Sequence, residues 1–184
     1  KIAPAYRFNW IYDLQDRRED GENLVVVALP IVLDDSQRII ETVAVVSLGM
    51  ERSISFVVKP HPAHPARFRK FLQRHLATTN VKVTDDPIPA LLETASIVIS
   101  AGSSVGYLAV ILGIPLAIPG NFTGLNQSPI PYAGMPGKYS VYYTVAELHD
   151  FLLNCLEARL PRNMDVSEAL LLPTKENTQQ FFFS

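Results

Sequence analysis

The chain has 184 residues, 48% of them hydrophobic and 18% charged, which is enough for one packed domain of ordinary size. Sixteen Lys and Arg against eighteen Asp and Glu leave a net charge of −2, so the overall charge makes no case for nucleic acid or an anionic membrane, and any anion site must be local. A single cysteine, Cys155, excludes an internal disulfide framework and a cysteine metal site, and fits a reducing cytoplasm. No run approaches the roughly 18 apolar residues of a membrane span. A cytoplasmic location is expected, either free or at the inner face of the inner membrane. The sequence opens on Lys1 rather than Met, as a piece of a longer protein or a processed chain would.

Residues 1–23 show no clear period and read as a lead-in or linker with Trp10 as an anchor. From Leu24 the run LVVVALPIVL is apolar and β-branched, the pattern of a strand buried on both faces of a parallel sheet. Asp34, Asp35 and Ser36 offer N-cap oxygens to a helix reaching about Leu48 and stopping at Gly49. ISFVV is a second strand, and Phe68, Phe71, Leu72 and Leu76 then fall on one helical face. Arg67, Arg69, Lys70 and Arg74 read as that helix's solvated side, with a membrane contact as the alternative.

VKVTD is a third strand, followed by a helix opening at Pro87, and IVIS is a fourth. A helix from Ser104 to Leu112 ends at Gly113 before a fifth strand, PLAIP. After a Pro/Gly-rich loop from Gly120 to Lys138 come a short strand, YSVYY, and a helix to about Leu160 with Thr144 and Glu147 as its capping box. Residues 161–184 form a tail. It reads either as a helix returning toward another domain or as an exposed apolar end that favours self-association. Six strands alternating with helices predict one α/β domain over 24–160, a doubly wound, Rossmann-like parallel sheet in three αβα layers with order 3-2-1-4-5-6.

Ligands of such sheets bind outside the carboxyl ends of the strands, where the strand order reverses. KPHP (59–62) follows the second strand there, TDDP (84–87) the third and SAGSSV (100–105) the fourth. In KPHP, Pro60 and Pro62 restrict Lys59 and His61 before any ligand arrives. His61 is either a surface loop residue or a rigidly placed phosphate contact, biased by a dianion toward its cationic form. In SAGSSV, Gly102 permits close backbone approach, while Ser103 and Ser104 set hydroxyls beside a helix N-terminus, an anion site without a basic residue. The alternative reading of Ser103 is a plain helix cap. Asp85 and Asp86 suit either a cap before Pro87 or hydrogen bonds to a ribose diol.

Competing motifs are missing from the sequence: neither GxGxxG nor GxxxxGK[ST] occurs, and no GxSxG elbow surrounds Ser103. His61 and His64 are divided by Pro62 and lack a third ligand, so no metal site and no cofactor are expected.

At these residues the chain resembles the C-terminal, donor-binding half of GT-B glycosyltransferases with an HP motif and an SS motif. Bacterial sialyl-, polysialyl- and capsule Kdo transferases belong to that group, and CDP-glycerol glycerophosphotransferases are similar. The resemblance spans about Leu24 to Leu160 and rests on Lys59-Pro60-His61-Pro62 and Ser103-Ser104. It implies a metal-independent transferase of surface carbohydrate that uses a CMP- or CDP-activated donor. It also implies that His61 supports departure of the donor phosphate, that Ser103 and Ser104 bind this phosphate, and that backbone near Lys59 and Pro62 recognises cytosine. Asp86, with Asp85 second, would meet the ribose. The saccharide acceptor would be held mainly by an N-terminal domain outside this chain, so the isolated piece would bind its donor without turnover. The chain departs from the pattern at Leu108, where relatives often carry an acid, and Glu19-Asp20-Gly21 reads as a chance match to the acidic base motif of the other half. The alternatives are a UDP-sugar 2-epimerase-like half domain and a non-catalytic assembly or regulatory module.

Overall fold

Strand β1 covers only Leu24–Ala28, although the apolar run continues to Leu33. Pro30 explains the difference, because it has no N–H to donate to a neighbouring strand. Beyond it, Ile31 and Val32 are exposed rather than sandwiched. The computed structural model describes Trp10 and residues 23–120 and 139–158. The lead-in around Glu19-Asp20-Gly21, most of the Pro/Gly-rich loop and the tail after Pro161 lie outside the described residues.

Helix α1 (Leu33–Gly49) follows β1, and β2 (Ser55–Lys59) leads into α2 (Ala66–His75). Then come β3 (Val81–Val83), α3 (Ile88–Thr94), β4 (Ile97–Ser100) and α4 (Ser104–Ile111). The described chain ends with β5 (Leu116–Pro119), β6 (Tyr139–Tyr142) and α5 (Val145–Glu157). All six strands are parallel in the order β3-β2-β1-β4-β5-β6, as the alternation of elements predicts.

Period-two alternation along β1 builds the layers. Val25 and Val27 join a core with α1, α2 and α5, through Ile40, Leu72 and Leu148, while Val26 faces the opposite core with α3 and α4, through Leu92 and Ala109. Trp10 packs half-buried against this second core, the anchor expected of it. Gly106 lets α4 lie close to the sheet: a Cβ there would meet a Leu116 methyl at 3.3 Å and the Cβ of Ser100 at 3.7 Å.

The helix ends show where sequence reading needs correction. Val32, not an Asp or Ser, is the N-cap of α1 and makes no side-chain cap bond. Asp34 and Asp35 lie in the first turn, where their charge suits the positive end of the helix dipole. Buried Ser36 instead donates back to the carbonyl of Pro30 at 2.9 Å. The capping box of α5 is formed as expected: Thr144 Oγ1 accepts from the Glu147 N–H at 3.1 Å, and the Glu147 carboxylate accepts from the Thr144 N–H at 3.2 Å. Gly113, with φ of 67°, ends α4 in the left-handed conformation that glycine adopts readily.

Candidate functional site

The register of β1 brings the two sequence motifs to one place. Ala28 pairs with Lys59 on one side and with Ser100 on the other. At a strand spacing of about 4.8 Å, the roots of KPHP and SAGSSV therefore stand roughly 10 Å apart across the end of β1. The order reverses between β1 and β4, so this end is the topological switch point of the sheet. Exposed Ile31 and Val32 follow the end of β1 and lead into α1, an apolar stretch that reads as strand in the sequence and is not one here.

KPHP owes its shape to a tight turn. The His64 N–H bonds the His61 carbonyl at 2.9 Å, with Pro62 at the second turn position, where a fixed φ is favourable. His61 Nδ1 accepts from the Ala63 N–H at 3.1 Å, so the neutral ring carries its proton on Nε2 and can offer it outward. The cationic form expected beside a dianion would put a proton on Nδ1 and break this bond, so the turn favours a neutral ring that donates from Nε2.

His64, set aside in the sequence as one half of an unconvincing metal pair, is the buried member of the motif. It is 8% exposed, with Nε2 2.9 Å from the Pro30 carbonyl and 3.4 Å from Ser36 Oγ. Phe68 meets its ring edge-on at 4.5 Å, and the His61 ring lies 5.9 Å away. Because a carbonyl only accepts, Nε2 bears the proton, and Nδ1 is buried without a partner among the described residues. Burial lowers its pKa, the neighbouring His61 adds to the shift, and the Pro30 hydrogen bond opposes it. The HPAHP spacing, with a proline after each histidine, is the signal that could have found it.

SAGSSV is fixed from below. Ser103 is the N-cap of α4, its Oγ accepting from the Val105 N–H at 3.3 Å and pairing with Ser100 Oγ at 2.7 Å. Capping thus accounts for the conformation of Ser103, while Gly102 and Ser104 are exposed at the sheet edge. Leu108 is buried, 5% exposed, in the core beneath.

The acidic pair divides. Asp85 is gripped by both Nη atoms of Arg69, one of them at 2.6 Å, and its carbonyl accepts from Lys59 Nζ at 2.7 Å. The Arg69 guanidinium accordingly holds the Asp85 carboxyl below its ordinary range, and the pair shows that Arg69 is not merely a solvated cation. Asp86 accepts from Thr84 Oγ1 at 2.6 Å and stays exposed. Neither carboxylate caps α3, whose N-cap is Pro87 without a side-chain bond. Lys59 also lends its carbonyl to the Leu29 N–H at 3.1 Å.

Among the described residues no group of three or more His, Cys, Asp or Glu is placed to hold a metal ion, and no helix is long and apolar enough to cross a membrane.

No family model and no curated protein matches the chain. Solved structures do. The C-terminal domain of a glycosyl transferase group 1 family protein, LpcC from Francisella tularensis, aligns at TM-score 0.59 and 14% identity, over 90% of this chain and 94% of that one. TarM aligns at 0.60 and 14% identity, over 91% of this chain and 35% of its own. The wall teichoic acid polymerase TagF, in a crystal soaked with CDPG, aligns at 0.53 and 14% identity, over 96% of this chain and 45% of its own. The chain therefore spans about a third of TarM, less than half of TagF and nearly all of the LpcC domain. With the strand order, the likeness gives the chain the α/β, Rossmann-like fold of a GT-B half domain.

Proposed function

We propose that the chain is the nucleotide-sugar-binding half of a metal-independent glycosyltransferase of surface polysaccharide assembly, taking a CMP- or CDP-activated donor. One observation carries this reading: Ala28 pairs with both Lys59 and Ser100, so the KPHP turn and the capped N-terminus of α4 flank the switch point. A glycosyl transferase group 1 family domain and a wall teichoic acid polymerase among the structural neighbours support the class, and the TagF crystal soaked with CDPG supports a CDP-linked donor.

His61 Nε2–H and the Ser104 hydroxyl converge on the donor phosphate, with Ser103 and Gly102 shaping the helix end that receives it. Backbone near Lys59 and Pro62 meets the base, and Asp86 meets the ribose. Asp85 serves instead to brace Lys59 and Arg69. In transfer, the bond between the sugar's anomeric carbon and the phosphate oxygen breaks and its electron pair leaves with the nucleotide. An acceptor oxygen bonds that carbon and yields its proton to a base on another domain. Fixed dipoles and hydrogen-bond donors stabilise the departing phosphate.

Calorimetric titration with CMP, CDP, UDP and GDP tests the donor class. Cytidine nucleotides should bind; a uridine preference would favour the epimerase-like reading. Buried Leu108, standing where an acid is often found, is the observation that favours a silent assembly module, and failure of all four nucleotides to bind would select it.

A further inference from the structure

Helix α2 carries Arg67, Lys70, Phe71, Arg74 and His75 at offsets of zero, three, four, seven and eight, which sets them on one face. Together they line an open hollow of about 410 Å³. The helix itself gains nothing from the whole array. Arg74 and His75 suit the negative end of its dipole, but Arg67 stands in the first turn, at the positive end, with no acidic residue beside it there. Arg67, Lys70 and Arg74 also repel one another at three- and four-residue spacing. No carboxylate among the described residues lies within 4.0 Å of any of the three. Arg69, on another side of the same helix, shows the contrast, since Asp85 pairs with it bidentately.

We propose that this face of α2 docks on the anionic surface of a lipid bilayer. Three long cationic side chains along about 12 Å of helix can each reach a flat layer of headgroups. The hollow is too open to enclose a small anion. Half-buried Phe71, stacked on Phe68 at 5.6 Å and on His75 at 5.2 Å, gives the face a stiff apolar centre. The rest of a chain of net charge −2 is turned away from the membrane by the same field. Because α2 begins where the KPHP turn ends, docking holds the switch-point crevice beside the bilayer.

Vesicle flotation of the 184-residue chain tests this, with neutral phosphatidylcholine against a mixture containing phosphatidylglycerol. The chain should bind only the anionic vesicles and should be released by high salt. The triple variant Arg67→Gln, Lys70→Gln, Arg74→Gln should lose about fivefold per cation, on the order of 100-fold in all. A control triple at exposed cations elsewhere, Arg38→Gln, Arg52→Gln, Lys82→Gln, should bind nearly as wild type, with circular dichroism confirming that both variants fold. The proposal is overturned if neutral and anionic vesicles bind alike, if the two triples lose equally, or if a short RNA displaces the vesicles at matched phosphate concentration.

Discussion

His64 donates from Nε2 to the carbonyl oxygen of Pro30 at 2.9 Å, tying the KPHP turn to the end of β1. Replacing it by Ala removes that bond from a part-buried carbonyl, which keeps only the Ser36 hydroxyl, and opens space beside Phe68. A loss of about 1–3 kcal/mol in urea unfolding is expected. Nucleotide affinity should fall as well, although His64 touches no ligand, because His61 loses its platform.

The same residue makes stability depend on pH. Its folded pKa lies below the ordinary 6.5, so the unfolded chain takes up the proton first as pH falls. Its contribution is complete above 6.5 and drains away as pH drops from there through the folded value. Unfolding midpoints measured between pH 7.5 and 5 should fall more steeply in wild type than in His64→Phe. Parallel curves would remove His64 from the account.

Asp85 and Asp86 should separate in a binding experiment. Asp86→Ala should weaken nucleotide binding about tenfold, as loss of a ribose hydrogen bond would. Asp85→Asn should change it little, because its carboxylate is occupied by Arg69. Both groups of that pair are exposed, so thermal unfolding of Asp85→Asn should stay close to wild type.

Gly106 sets the approach of α4 to the sheet. The Leu116 methyl at 3.3 Å is the end of a flexible side chain, so Gly106→Ala should be almost neutral, the tight contact offsetting the gain in helix propensity. Gly106→Val adds bulk that Leu116 and Ser100 leave no room for, and should cost about 1–3 kcal/mol in chemical denaturation. Equal effects for the two would mean that the close packing is not tight.

Tyr142 is buried with no hydrogen-bond partner for its hydroxyl among the described residues, and burial pushes the pKa of that hydroxyl up. Tyr142→Phe should therefore be neutral or stabilising, by up to about 1 kcal/mol, in thermal unfolding. A clear loss would reveal a partner for the hydroxyl.

The sheet was legible because its information is local and periodic. Runs such as IVIS and ISFVV are almost wholly apolar, and Ser103, Gly113 and the Thr144 capping box mark the ends of the last two helices where the structure has them. Strand order followed from the alternation of elements, and the shared edge of KPHP and SAGSSV followed from the order. What escaped notice depends on tertiary contact. The apolar letters of Ile31 and Val32 carry no sign that Pro30 has ended the strand. Ser36 looks like a cap until the Pro30 carbonyl is found within its reach. His64 is as polar as His61 in composition, and only packing against Phe68 makes it the interior member. Asp85 and Asp86 are alike in sequence; Arg69, 16 residues earlier, decides between them.

The central claim is that the KPHP turn and the α4 N-terminus grip one phosphate. A double-mutant cycle tests it most directly, with CDP titrated calorimetrically into wild type, His61→Ala, Ser104→Ala and the double variant. Each single change should weaken binding about tenfold or more, and the double loss should differ from the sum of the two by 0.5 kcal/mol or more, roughly the coupling of groups that share a ligand. CDP that fails to bind wild type, or two losses that simply add, would contradict it.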